Sequence, residues 1–413
     1  MRFALLGNHP DGMQMARALA ESGRHELIAY GGPKAGTEEL SQLGLTVKPG
    51  GDLEEILADP AVELAIVAGK PAERPAQLRR ALQSERHVLC VHPADESPDV
   101  AYEAGMIQGD TKKILLPLLT DALSPPVRRL AELLRPPAGP LGKLRFLQLE
   151  QSDPKAVLLD ADVPGYEPAL PCWHLLRALG GEVVEVSAFA VEEELKAGEP
   201  LLLAGKFQSG GLFQATLLPG QPKAERCLRI HATQGTAELV LHSPAEPALL
   251  TWRTTNGETH TESFEPWHPW SALVDVFELA SRPRERAEST AGSPALSSGG
   301  LRPPLAWQDA VRCLELDDAA RRSVERRRAS TLDYQEVSEE VGFKGTMTLV
   351  GCGLLWGVLA VVILAAWERR LLWLVVPLLL FFLGLQLLRW IIPQPPVAAT
   401  PSPTEPNDRL HAG

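Results

Sequence analysis

The N-terminal stretch RFALLGNHPDGMQMARALAES holds the first residues whose types and spacing imply a chemistry. A short apolar run, residues 2–6, leads into Gly7-Asn8-His9-Pro10-Asp11-Gly12, and apolar residues at helical spacing follow. A glycine-bearing turn between a strand and a helix is where a dinucleotide pyrophosphate can meet backbone N–H groups. The first glycine makes the tight turn, the second lets backbone approach the phosphates, and the third allows close helix–strand contact. Gly7 and Gly12 hold the first and third places, and His9 stands in the second. An imidazole there either obstructs the phosphates or, protonated, pairs with them. Gly7, Asn8, His9 and Gly12 are thus the expected cofactor-binding set. The next apolar run, HELIAY, ends in Tyr30-Gly31-Gly32, without the Asp or Glu that would hold a ribose 2′-hydroxyl. With Lys34 close by, the expected cofactor tilts toward NADP over NAD; the plainer alternative is a glycine turn beside a solvated lysine.

These residues need a scaffold, and the whole chain bounds it. Its 413 residues suit two domains and an appendage, at roughly 100–200 residues per domain. A net charge of −12 argues against a nucleic-acid partner, which calls for a basic face. Cys90, Cys172, Cys227, Cys313 and Cys352 are scattered and form no CxxC pair, so neither a metal site nor a disulfide framework is expected. A reducing compartment fits them best. Only residues 3–6 are apolar before Gly7 ends the run, short of the ~7–15 of a secretory signal. A cytoplasmic location is expected for the globular part.

The C-terminal end differs. Residues 347–366 (MTLVGCGLLWGVLAVVILAA) and 371–388 (LLWLVVPLLLFFLGLQLL) carry no charge, and each approaches the ~20 residues that cross a bilayer. Glu368, Arg369 and Arg370 lie between them. One continuous helix would centre these charges in lipid, at about 2.5–3.5 kcal/mol per arginine. The expectation is a transmembrane helical hairpin over residues 347–392, with the lipid bilayer as a partner. A buried core hairpin is the alternative. Arg326, Arg327, Arg328, Lys344 and Arg389 flank the pair and favour both termini in the cytoplasm. The uncharged runs offer no ion path, which disfavours transport. Gly353 and Gly357 form a GxxxG suited to helix contact. Residues 331–346 read as a juxtamembrane linker and 393–413 as a proline-rich disordered tail.

Residues 1–122 alternate strand and helix, which implies a parallel sheet with right-handed crossovers. From about 123 to 330 the pattern changes to helix, strand, helix and then serial strands, among them PLLLAGKF, GLFQATLLP, CLRIHATQ and TAELVLHS. An α+β domain with an open antiparallel sheet is expected there. SRPRERAESTAGSPALSSGGLRPP reads as a mobile loop.

In order and spacing, RFALLGNHPDGMQMARAL, LEEILADPAVELAIVAG, ALQSERHVLCVHP, LGKLRFLQLE and HLLRALGGEVVEVSA resemble the Gfo/Idh/MocA family of oxidoreductases over about residues 1–330. The stretch DYQEVSEEVGFKGTMTLVGCGLLW resembles the tails of its membrane-anchored members. The resemblance implies an N-terminal Rossmann domain, a C-terminal α/β domain facing the cofactor, and NAD(P)-dependent chemistry on sugars and related compounds. Where the family reads HVLCEKP this chain reads HVLCVHP, so Val91 takes the glutamate place and His92 the place of the lysine. The family's Asp-x-Gly-x-His, with a further Asp three residues on, falls on LPCWHLLR. Leu170, Cys172 and Arg177 stand where the family has Asp, Gly and Asp, and His174 retains the histidine. In the loop after VELAIVAG, Gly69, Lys70 and Arg74 replace the family's Thr-Pro and later His.

His92 and His174 are thus the expected catalytic pair, His174 mattering more, because an imidazole suits proton transfer near neutral pH. Two functions follow as expectations. One is a membrane-anchored oxidoreductase on a sugar or polyol. The other is a catalytically inactive nucleotide-binding or scaffold protein, a pseudoenzyme at the membrane. Homo-oligomer formation is compatible with both.

Overall fold

The computed structural model describes residues 1–332, apart from 46, 48–50, 136–138, 154–168, 193–194, 197, 222 and 283–304. The chain divides into two units, Met1–Tyr334 and Gln335–Gly413, and every described residue falls in the first.

The N-terminal part alternates β1 (Arg2–Leu6), α1 (Pro10–Glu21), β2 (Glu26–Gly31), α2 (Lys34–Gln42), α3 (Leu53–Ala58), β3 (Leu64–Val67), α4 (Arg74–Gln83), β4 (His87–Cys90), α5 (Pro98–Thr111) and β5 (Leu115–Pro117). The strands form one sheet of order β2-β1-β3-β4-β5, parallel throughout. Its central strands are apolar without alternation: all four residues of β3 (LAIV) are buried. That is the signature of a sheet covered on both faces. One face packs Phe3, Leu5, Met13, Leu64, Leu89 and Val91 together; the other packs Ala4, Leu6, Ala65, Leu78, Val88 and Val100. Strand order reverses between β1 and β3, the kind of switch point where such sheets open a crevice at their C-terminal edge.

A 3₁₀ turn, Asp121–Leu123, leads to α6 (Pro125–Leu133), β6 (Leu144–Asp153), α7 (Trp173–Gly180), β7 (Val183–Ala190), β8 (Leu201–Phe207) and β9 (Leu212–Pro219). Next come β10 (Glu225–Ala232), β11 (Gly235–Leu241), β12 (Ala248–Thr254), β13 (Thr259–Phe264), α8 (Pro269–Ser281), α9 (Trp307–Arg326) and β14 (Ser330–Thr331). The nine strands run in the order β13-β12-β11-β10-β6-β9-β8-β7-β14. The expected antiparallel sheet needs one correction: β6 and β9 pair in parallel, and every other neighbouring pair is antiparallel. Alternation along each strand is the same for both pairings, so the sequence pattern could not distinguish them. Side chains of α6, α7 and α9 share one core with this sheet. On its opposite face Phe189, Leu212 and Leu249 are exposed.

The two sheets are interleaved by later helices. α8 packs against α1, and α9 spans from α5 to β7. Trp307 donates its indole N–H to the Ala101 carbonyl at 2.8 Å.

The membrane localisation expected from the sequence is corrected. Among the described residues no helix is long and apolar enough to cross a membrane. The longest, α9, has 20 residues but carries Asp309, Arg312, Glu315, Asp317 and Arg321 along its length. The apolar runs 347–366 and 371–388, the 331–346 linker beyond Leu332, the 393–413 tail and the loop over 283–304 lie outside the described residues.

Candidate functional site

The β1–α1 turn is built on steric necessity. Gly7 has φ +103, and a Cβ there would lie 2.2 Å from the Ala68 carbonyl oxygen. Its N–H donates to the Gly31 carbonyl at 2.7 Å. At Gly12 a Cβ would lie 2.3 Å from the Ala68 Cβ, so α1 approaches the end of β3 closely. These are the duties of the first and third glycines in a dinucleotide turn.

His9 occupies the second place in a specific way. Its N–H donates to the Ala68 carbonyl at 2.9 Å, and its carbonyl accepts the Met13 N–H at 3.0 Å. Its ring turns onto its own helix: Nδ1 accepts the Asp11 N–H at 3.3 Å and lies 3.9 Å from Asp11 Oδ2. Pro10 has no N–H. So two of the donors a phosphate would use are absent or engaged, and the Asp11 carboxylate adds like charge at the helix start. A protonated Nδ1 can no longer accept the Asp11 N–H and would pair with its carboxylate instead.

Asn8 stands in the same turn, its Cβ 3.1 Å from where a Cβ on Gly36 of α2 would be. Lys34 is the first residue of α2, behind Pro33 as N-cap. No acidic residue lies in that first turn. Tyr30 is buried and donates to the Pro33 carbonyl at 3.1 Å, and burial pushes its phenol up to about 12.

Across the switch point, Val91 is fully buried and donates its N–H to the Val67 carbonyl at 2.9 Å. His92 follows, buried, and the His92–Pro93 peptide is cis. Arg74 is fully buried: Nε donates to the Gly69 carbonyl at 3.0 Å and Nη1 to the Pro93 carbonyl at 2.8 Å. It straps the loop after β3 to the loop after β4. The Cys90 thiol, pushed up to about 12 by burial, is protonated at neutral pH and no nucleophile.

His174 is the second residue of α7 and is 4% exposed. The start of α7 is anchored on Asp317 of α9, which accepts the Leu170 N–H at 2.9 Å and the Trp173 indole N–H at 3.4 Å. Arg177 is ion-paired to Asp309 at 3.0 Å and to Glu182 at 2.8 Å. Leu170 and Cys172 are buried, and burial raises the Cys172 thiol well above its ordinary range. α7 packs against the 3₁₀ turn that follows β5, which brings His174's helix to the same end of the parallel sheet as His92.

Three polar residues there escaped sequence reading. Asp121 in the 3₁₀ turn pairs with Arg226 of β10 at 2.6 Å, linking the end of one sheet to the other. Gln151 of β6 lies opposite Arg226 in register and is buried, and among the described residues its Oε1 has no hydrogen-bond partner. No local motif marks any of the three; only strand pairing assembles them. Among the described residues no His, Cys, Asp or Glu cluster forms a metal site.

A parallel sheet with this switch point, joined to a nine-stranded sheet through interleaved helices, is a fold shared with solved oxidoreductases and dehydrogenases. An aldose–aldose oxidoreductase from Caulobacter crescentus complexed with glycerol matches at TM-score 0.62 and 17% identity, over 80% of this chain and 99% of that one. An oxidoreductase from Agrobacterium radiobacter in complex with NAD+, L-tartaric acid and magnesium matches at TM-score 0.62 and 15% identity, over 80% and 98%. A UDP-N-acetylglucosamine 3-dehydrogenase from Acidithiobacillus ferrooxidans matches at TM-score 0.60 and 17% identity, over 79% and 98%. At such identities the likeness is one of fold. The chain matches no protein-family model and none of the curated proteins.

Proposed function

We propose that this chain is a Gfo/Idh/MocA-type oxidoreductase that binds a nicotinamide dinucleotide and acts on a sugar, a polyol or a related hydroxylated small molecule. The observation that carries the reading is the pair Gly7 and Gly12, where no Cβ fits, at the switch point of a parallel sheet. The dinucleotide would lie from the β1–α1 turn toward the end of β4. Gly7, Asn8, His9 and Gly12 would flank its phosphates, and Lys34 would favour NADP. Solved proteins of the same fold with NAD+ and with glycerol bound support both ligand classes.

When bound, the nicotinamide supplies a hydride acceptor. The chain's part is to take the substrate hydroxyl proton as the hydride leaves. His174, on an anchored helix, is the proposed base, and His92 is a second imidazole at the sheet edge. A second reading, nucleotide binding without turnover, is favoured by Arg177: the family's carboxylate place holds a cation already engaged by Asp309 and Glu182.

Fluorescence titration of the full chain with NADH and NADPH, followed by turnover assays on a sugar and polyol panel, separates these readings. Turnover lost in His174→Ala supports the first. Nucleotide binding with no turnover supports the second. Absence of binding overturns both. Robust turnover lost in His92→Ala alone would move the base to His92.

A further inference from the structure

Two tryptophans, Trp267 just before α8 and Trp270 in its first turn, pack against the core of the parallel sheet at one end of the helix. Its far end is fixed: Glu278 Oε1 lies 3.2 Å from His25 Nε2 and 2.7 Å from Arg24 Nε. His25 immediately precedes β2, at the N-terminal edge of the parallel sheet. A helix of 13 residues spans about 20 Å, roughly the height of that sheet. Its N-terminal end therefore reaches the C-terminal edge, where α8 meets the 3₁₀ turn Asp121–Leu123. Trp270 lies in the first turn of α8, and Trp267 precedes the helix. The Trp267 backbone N–H donates to the Pro244 carbonyl of the β11–β12 loop at 3.0 Å. This end of α8 packs on the face of the parallel sheet that holds Met13, Val91 and Leu123. Both tryptophans thus stand at the crevice end, on the α1 side.

Their state differs from that of the other described tryptophans. Trp173 and Trp307 are buried with their indole N–H groups donated. Trp252 is buried with its ring against His260 at 5.0 Å and Arg129 at 5.6 Å. Trp267 and Trp270 are half-buried, and among the described residues neither ring has an aromatic or cationic contact. Buried indoles usually place their N–H on an acceptor; among the described residues neither of these N–H groups finds one, and both rings lie beside an apolar face. An apolar plane edged by a donor suits a ring with C–H groups on one face and hydroxyls at its rim.

We propose that Trp267 and Trp270 form an aromatic wall of the crevice, on which the apolar face of a pyranose or cyclic polyol rests while an indole N–H donates to a ring hydroxyl. The wall rests on the oxidoreductase reading above and adds to it two specificity-determining residues, Trp267 and Trp270.

Calorimetric titration of the full chain with methyl β-glucoside and with myo-inositol, each with and without NADPH, tests it. Trp267→Ala and Trp270→Ala should each weaken binding of at least one probe about three- to tenfold and leave NADPH affinity unchanged. Trp267→Phe and Trp270→Phe keep a ring face and guard against misfolding; they should lose less. Equal probe affinity in wild type and all four variants overturns the wall. So does a loss of NADPH affinity parallel to the loss of probe, which would make the tryptophans part of the nucleotide seat. Wild type that binds NADPH but neither probe also overturns the wall and leaves the oxidoreductase reading standing. If NADPH fails to bind wild type, that reading falls, and probe binding that still depends on the tryptophans supports a plain carbohydrate site.

Discussion

The β1–α1 turn and the head of α7 reach the same end of the parallel sheet, yet they carry different kinds of constraint. In the turn, backbone geometry decides: Gly7 and Gly12 have no room for a side chain. At α7, charge pairing decides: Arg177 meets Asp309 and Glu182, and Asp317 holds Leu170 and Trp173. A steric constraint tolerates one residue. A paired one tolerates any set of charges that still neutralise one another. So the turn is fixed by its glycines, while Arg177 of α7 is engaged in holding the scaffold together.

The largest expected effect tests the charge-paired side. Arg177→Met breaks the buried pairs with Asp309 and Glu182 and should cost about 3–5 kcal/mol in denaturant unfolding. A loss below about 1 kcal/mol would mean that packing, not pairing, holds α7.

On the steric side, Gly7→Ala meets both a positive φ and the Ala68 carbonyl, and Gly12→Val meets the Ala68 Cβ. Each should cost about 2–4 kcal/mol and abolish nucleotide binding. Wild-type stability in either variant, measured by chemical denaturation, would show that α1 can move away from β3.

The α5–α9 contact supplies a pH-dependent comparison. Burial pushes the Glu315 carboxyl up to about 7, while Tyr102 donates a hydrogen bond to it and Arg312 lies 2.7 Å away. The folded state then binds more protons than the unfolded chain, whose glutamate titrates near ~4.3. This group's contribution to stability is fully present below about 4.3 and is lost as pH rises to about 7, a swing on the order of 1–2 kcal/mol because Arg312 opposes it. Glu315→Gln should flatten that window in melting curves taken across pH. An unchanged slope would assign the window to other groups.

The smallest effect returns to the turn. His9→Gly frees the Asp11 N–H for phosphate, and glycine costs little as an N-cap. Dinucleotide affinity should rise about two- to tenfold, the worth of one hydrogen bond. An unchanged affinity would mean the ring already swings aside without cost.

Much of the architecture was legible because periodicity reports burial. VELAIVAG, residues 62–69, reads as a strand, and Leu64–Val67 within it is one, buried along its whole length. KKILLPLL, residues 112–119, reads as a strand over its whole length, yet β5 holds only Leu115–Pro117, because composition cannot say where a ladder loses its partner. The parallel β6–β9 pair was invisible for a related reason: pairing direction belongs to two strands, and neither carries it alone.

Of the candidate site, the residue types could be read and their employment could not. Local sequence by itself determined that residues 2–12 make a strand, a glycine turn and a helix start, since each depends on neighbours within a few positions. The resemblance to the Gfo/Idh/MocA family marked Val91, His92, Leu170, Cys172 and Arg177 as departures from that family's pattern. Only the tertiary structure decided that the His9 ring caps its own helix, that Arg74 straps two loops, and that Arg177 meets Asp309 from 132 residues away. Such contacts are settled by which groups are left to satisfy one another once water is excluded, and that becomes defined only when distant segments have packed together.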